Sequence, residues 1–135
     1  PVFRFGDKSG GERIRVHVSD RGPAIVLTDA EGQTRLFVAV SEEGIPSIAI
    51  YSQDGNPNIV LGIHPDGTPV VSLSDKADSC IMNFGITSVD DGAIFTLFDA
   101  RSKTTRAGLK IDAAGGTQLA LWDAAGNISW SNNAQ

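Results

Sequence analysis

Apolar and polar positions alternate along short segments of the chain. Leu36, Val38 and Val40 fall on one side of such a segment, and Phe37 and Ala39 fall on the other. The same period-two pattern runs through residues 48–51, 59–63, 82–86 and 108–111. Successive side chains of a β-strand point to opposite faces, so this pattern predicts strands with one apolar face. No segment has the hydrophobic period of a helix.

The predicted strands recur in units of about 23 residues. Asp or Ser follows each of six apolar anchor residues by two positions, and Gly follows four of the anchors by five. Asp and Ser bond to nearby backbone amides and Gly adopts positive φ, so these residues predict a turn after each anchor. Further Gly- and Asp-containing turns lie between the anchors, so each unit is predicted to be a hairpin. The anchors, at steps of 22, 23, 23, 24 and 24 residues, are Phe5, Leu27, Ile50, Leu73, Leu97 and Leu121.

The whole chain, residues 1–135, is predicted to be one all-β domain, an antiparallel meander of about 11–12 short strands. Pro1–Phe5 is predicted to be a strand without a preceding partner, and Ser129–Asn133 a strand without a following one. Pairing these ends would remove two exposed edges, so a closed, flattened barrel is expected. The alternatives are a β-trefoil and an open sheet that buries one face by oligomerising.

The alternation also predicts the pairing register and the core. Ile25 should pair with Val38, and the next turn should place Val40 opposite Ile48. The same eight-residue offset predicts two further pairs, Ile63 with Val71 and Ile111 with Leu119. Close packing of protein interiors favours a filled core, and the alternative is a hollow barrel that holds an apolar ligand. The predicted inner face is aliphatic and contains Ile14, Val16, Val18, Ile25, Leu61, Val71, Phe95 and Leu119.

Charge and composition narrow the classes of partner. The chain has a net charge of −5 and a sequence pI near 4.8, and its 11 basic residues are scattered. Nucleic-acid binding is not expected, because phosphate backbones require clustered Lys and Arg. No apolar run approaches the roughly 20 residues that span a bilayer, so no membrane span is expected. The single cysteine, Cys80, excludes an intramolecular disulfide.

No catalytic or metal-binding motif is present in the sequence. His17 and His64 lack the paired spacing of metal ligands. A ring of turn aspartates could bind calcium, but no loop has the calcium-binding spacing, so these residues are predicted to cap turn backbones. No catalytic residue, metal ion or cofactor is therefore predicted. The aspartates concerned are Asp7, Asp29, Asp75, Asp99 and Asp123.

Aromatic residues are predicted on the outer face of the sheet, close to the anchor turns. Basic or polar residues should lie opposite them across the hairpins. Exposed aromatic rings beside Arg or Asn can stack on a sugar or contact a protein, and the alternative is ordinary cross-strand stabilisation. The candidate binding residues are Phe37, Tyr51, Phe98 and Trp122 with Arg35 and Arg106.

The predicted function is that of a non-catalytic binding or assembly module that acts through this outer surface, with a protein or a glycan as its partner. The alternative is a carrier of a small hydrophobic ligand inside the barrel. A third class is an enzyme whose site is built from loops. The open-sheet alternative adds a homo-oligomer to the expected assemblies.

Overall fold

A computed structural model describes residues 1–75, 79–86 and 92–132. Over these residues the chain forms one twelve-stranded antiparallel sheet, in the order β1 to β12, and no helix, which confirms the predicted all-β meander. Asn133, the predicted end of the last strand, lies outside the described residues. The strands are β1 (Val2–Gly6), β2 (Glu12–Ser19), β3 (Gly22–Thr28), β4 (Thr34–Val40), β5 (Pro46–Tyr51), β6 (Pro57–Ile63), β7 (Pro69–Ser74), β8 (Cys80–Ile86), β9 (Ala93–Phe98), β10 (Thr105–Ile111), β11 (Thr117–Trp122) and β12 (Ile128–Ser131).

The turns after the anchors have the hydrogen bonds that the sequence predicts. In the first hairpin the Gly10 N–H donates to the Asp7 carbonyl oxygen over 3.0 Å, and Gly10 has a φ of 84°. The Asp7 carboxylate accepts hydrogen bonds from the N–H groups of Ser9 and Gly11. The aspartates therefore cap turn backbones, as predicted. The same carboxylate-to-backbone bonding occurs at Asp29, Asp75, Asp99, Asp112 and Asp123.

A β-bulge close to each turn that follows an anchor residue was not predicted. In β4, Leu36 pairs with Leu27 and Thr34 pairs with Thr28, which leaves Arg35 as an extra residue. A bulge increases the local twist and redirects the extra side chain, so it places that side chain near the turn. The corresponding extra residues of the other even-numbered strands are Arg13, Asn58, Ile81, Arg106 and Ser129.

The predicted register is confirmed within the hairpins and wrong at the turns between them. Val40 pairs with Pro46 rather than with Ile48, because Gly44 adopts a φ of 81° and closes a short loop that begins at Ser41. The displacement is two residues, so each side chain keeps its predicted face. The other displaced pairs are Ile63 with Pro69 and Ile111 with Thr117.

The sheet is not closed by hydrogen bonds, contrary to the expected barrel. Within the described chain, β1 pairs only with β2 and β12 only with β11. Barrel closure requires tilted strands whose register is progressively staggered. Here a row of directly paired residues crosses the sheet from Phe3 to Leu119 and stays at about the same distance from the strand ends. A sheet without stagger has no geometric reason to close.

One face of the sheet, here called the apolar face, consists of three parallel rows of directly paired residues. Its central row is Phe3, Val16, Ile25, Val38, Ile48, Leu61, Val71, Phe84, Phe95, Leu109 and Leu119. The flanking rows include Ile14, Leu27, Ile50 and Leu121 on one side, and Val18, Val40, Ile86 and Ile111 on the other. The opposite face is called the polar face.

Burial is deepest on the polar face, which the sequence analysis placed outside. Val26 is 3% exposed and Ala120 is 0% exposed on that face, whereas Ile25 is 41% exposed on the apolar face. Small polar-face residues are covered by longer neighbours: the Trp122 ring lies over Gly108, 3.3 Å from where a Cβ would be. The described residues form only this one sheet, so none of them makes a second layer over the apolar face, where a second sheet would normally lie about 10 Å away.

Candidate functional site

The apolar face contains a shallow trough across strands β2 to β6. Its volume is about 580 Å³, and its main lining side chains include Val16, Ile25, Val38, Ile48 and Leu61. Each of these strands contributes one residue to the centre of the trough, because direct cross-strand pairing aligns them in one row. The trough is therefore a property of the sheet register and not of a loop.

No charged residue belongs to the three rows of the apolar face. All positions of the central row are Val, Ile, Leu or Phe, and most remain more than a third exposed. Contiguous apolar patches on monomeric proteins rarely exceed a few hundred Å². An apolar face twelve strands wide is far larger than that, so it has the character of an interface.

The total accessible surface supports this interpretation. The chain exposes 8898 Å², whereas a folded monomer of 14.2 kDa is expected to expose roughly 6,800 Å². The excess of about 2,100 Å² is larger than the roughly 800 Å² that each partner buries in a standard interface. The described fold is therefore a single layer with an unusually large exposed surface.

The polar face has a groove at strands β2 to β5 that brings together two of the predicted binding residues. Phe37 and Tyr51 line this groove, which has a volume of about 510 Å³, together with Arg15, His17 and Arg21. The two aromatic rings come from neighbouring strands, since β4 pairs with β5. This arrangement combines aromatic surface with cationic side chains, as a sugar- or protein-binding groove does.

The other two predicted aromatic residues lie elsewhere on the sheet. Trp122 lines a separate hollow of about 220 Å³ with Thr96, Gly108 and Lys110. Phe98 ends β9, where it pairs with Thr105. The four aromatic residues therefore do not form one continuous patch, because several strands separate Tyr51 from Trp122.

Arg35, a predicted binding residue, links two successive turns of the sheet. Its Nε donates to the Asp29 carboxylate over 2.6 Å, and its Nη1 donates to the Ser52 carbonyl oxygen of the next hairpin. Burial raises the pKa of Asp29, but bonds from the Gln33 N–H and from Arg35 outweigh it, so the pKa lies below its usual value. Other bulge residues make similar links: Arg13 bonds to the Asp7 carboxylate and the Asp29 carbonyl, and Asn58 bonds to the Ser74 carbonyl.

Arg106, the second predicted arginine, acts on two turn carboxylates. Hydrogen bonds from the backbone N–H groups of Ser102 and Arg101 lower the pKa of Asp99, and the charge of Arg106 adds to this. Bonds from the backbone and side chain of Asn127 lower the pKa of Asp123, with a similar contribution from Arg106. The charge of Arg106 therefore favours the ionised form of carboxylates in two successive hairpin turns.

Two residues of the polar-face groove were missed as candidates from the sequence. Arg15 and His17 alternate with Val16, which predicts the polar face but gives no sign that both lie near Phe37. Arg15 Nε and His17 Nδ1 are buried atoms without a hydrogen-bond partner in the structure. Only the register of β2, β3 and β4 reveals this proximity, since these residues are 20 or more positions from Phe37.

Within the described ranges, no group of three His, Cys, Asp or Glu residues could hold a metal ion. His17 lies in the groove and His64 lies in an exposed turn. The described part of the chain also has no helix that is long and apolar enough to cross a bilayer.

Comparison with known proteins gives no family for this chain. No protein-family model matches it, and a search of curated proteins finds no match.

Proposed function

We propose that this protein is a non-catalytic assembly module that acts by packing the apolar face of its sheet against another polypeptide surface. The observation that carries the proposal is the open, charge-free apolar face together with the excess of about 2,100 Å² over a folded monomer. Burying apolar surface is the dominant favourable contribution to most protein association. The sequence predicted that the protein contacts its partner through the opposite face of the sheet. The present proposal assigns the main contact to the apolar face instead.

The six hairpins are proposed to be equivalent units that build this face. Each supplies a capped or glycine-closed turn, a bulge beside it and two strands of the apolar face. Such units stack side by side and contact only their neighbours, so they extend a flat surface instead of enclosing a pocket.

The test is the accessibility of a thiol placed on the apolar face. In a Cys80→Ser background, Leu61→Cys is compared with Ser72→Cys, which lies on the polar face of the next strand. Maleimide labelling is followed in purified protein and in an extract of the cells that naturally express it. A covered apolar face slows labelling of the Leu61→Cys thiol by at least about 100-fold relative to unfolded protein, since exposure requires opening of the interface. Rapid labelling of this thiol in both preparations contradicts the proposal.

A second candidate function, carriage of a small hydrophobic ligand, rests on the trough of about 580 Å³. This volume lies within the range of small-molecule sites, and the trough lining is almost entirely apolar. A native mass spectrum decides the matter: a carrier shows a monomer with several hundred daltons of retained ligand. A ligand-free chain whose Leu61→Cys thiol is still protected excludes the carrier.

The polar-face groove is proposed as a secondary contact surface for a protein or a glycan. Phe37 and Tyr51 supply the aromatic surface, and Arg15 supplies unpaired hydrogen-bonding capacity. A glycan-array screen of the wild type and Tyr51→Ala tests it. Binding that is lost in Tyr51→Ala but retained in Phe98→Ala, which lies outside the groove, supports the assignment. Identical binding by all three proteins contradicts it.

A further inference from the structure

We infer that the apolar face is covered by the same face of a second copy of this chain, so that two open sheets form a face-to-face sandwich. This inference rests on the proposed function and adds the identity of the partner. Its evidence is the area of the face and its lack of charge, and the net charge of the chain provides a way to test it.

The area of the face fits a permanent dimer. Each chain exposes about 2,100 Å² more than a folded monomer of its mass, so covering this excess on two copies buries about 4,200 Å² in total. Obligate homodimers bury roughly 2,000–5,000 Å², and their interfaces are mostly apolar. A small partner could not cover a central row that crosses eleven strands, whereas a second copy brings a sheet of the same width.

The chemistry of the face is compatible with self-association. A two-fold interface uses the same patch on both copies, so any charge on the face would have to find a counter-charge on that same face or stay unpaired. The rows of the apolar face contain no Asp, Glu, Lys or Arg, and therefore impose no such penalty. Val16, Ile25, Val38, Ile48 and Leu61 form a trough on each copy that side chains of the other copy can fill.

The effect of salt on association distinguishes a second copy of this acidic chain from a partner of opposite charge. Each copy carries a charge of −5, so two copies repel each other weakly and added salt screens this repulsion. Self-association is therefore expected to strengthen when sodium chloride is raised from about 50 mM to about 500 mM. A complex with a basic partner would weaken under the same change.

The first experiment measures the mass of the purified full chain by light scattering during size exclusion, with a matched pair of variants. Ile48→Glu places a carboxylate in the centre of the apolar face, and Ser47→Glu places one on the adjacent residue of the polar face. The inference predicts twice the 14.2 kDa chain mass, or a higher even multiple, for wild type and Ser47→Glu, and an odd multiple contradicts it. Self-association of Ile48→Glu should be at least about 100-fold weaker, since an unpaired buried charge strongly disfavours an interface.

If Ile48→Glu does not fold, thermal unfolding of the wild type at several chain concentrations still tests the inference. The thermal midpoint of a dimer rises with chain concentration, whereas that of a monomer does not change. A monomeric wild type with a concentration-independent midpoint overturns the inference. If the Leu61→Cys thiol is then protected in the cell extract and open in purified protein, another protein covers the face and the proposed function stands. If the thiol is open in both preparations, the proposed function fails as well.

Discussion

Gly22 is the position at which a single methyl group should damage this fold most. It closes the two-residue turn between β2 and β3 with a φ of 102°. A Cβ at this position would overlap the Val40 carbonyl oxygen and lie 3.1 Å from the carbonyl carbon of Val40 and 3.2 Å from that of Ser41. These are backbone atoms of an adjacent strand and turn, so they cannot move aside as a flexible side chain would.

The expected cost of Gly22→Ala has two parts. Holding an L-residue at positive φ costs roughly 1–2 kcal/mol. Displacing the backbone of β4 adds about 1–3 kcal/mol, the usual cost of overpacking. The total of roughly 2–5 kcal/mol is a large fraction of the stability of an ordinary domain.

Gly44→Ala is the matched control for Gly22→Ala. Gly44 has a φ of 81°, but a Cβ there would meet nothing within 4 Å, so only the backbone strain of roughly 1–2 kcal/mol applies. Urea titration of both variants at one fixed chain concentration gives the two free energies of unfolding. Equal losses in the two variants would refute the argument, because the clash with Val40 would then contribute nothing.

Three further predictions concern the turns that follow the anchor residues, at the opposite end of the strands from Gly22 and Gly44. Lys103 has a φ of 56°, so Lys103→Gly should raise the free energy of unfolding by about 0.5–1 kcal/mol in urea titration, and a loss of stability would contradict this. Arg35→Met should lower the urea midpoint. Because Arg35 and Asp29 are hydrogen-bonded, a double-mutant cycle with Asp29→Asn should give non-additive losses in the free energy of unfolding. Strict additivity would show that this hydrogen bond does not contribute to stability. Hydrogen bonds from Ser9 and Arg13 lower the pKa of Asp7 to about 2, below its ordinary value of 3.8. Its stabilising contribution is therefore present above about pH 4 and lost as the pH falls through about 2, so Asp7→Asn should flatten the acid limb of a stability-versus-pH curve; an unchanged acid limb would argue against it.

The strands and their faces could be predicted because they depend on local chemistry. Alternation at Leu36, Phe37 and Val38 assigns each side chain to a face, and Asp7 with Gly10 specifies a turn. Both signals act over a few residues, so tertiary contacts have little opportunity to override them.

The bulges, and the pairing register at the turns between the hairpins, could not be predicted in the same way. An extra residue such as Arg35 leaves the spacing of the units unchanged, and its role appears only when its bonds to Asp29 and Ser52 are known. At the turn after Val40, loops of different length satisfy the same alternation, and the left-handed Gly44 selects the shorter one.

The sequence alone determined that this protein is an antiparallel meander of about 11–12 strands with one aliphatic face, since period-two alternation and turn chemistry are local properties. Only the tertiary structure decided which face is exposed and whether the sheet closes. Ile25 and Val26 are adjacent apolar residues, yet one is 41% exposed and the other 3%. That difference arises from what covers each face: side chains of the same sheet cover Val26, and covering Ile25 requires a second layer that the described part of the chain does not supply.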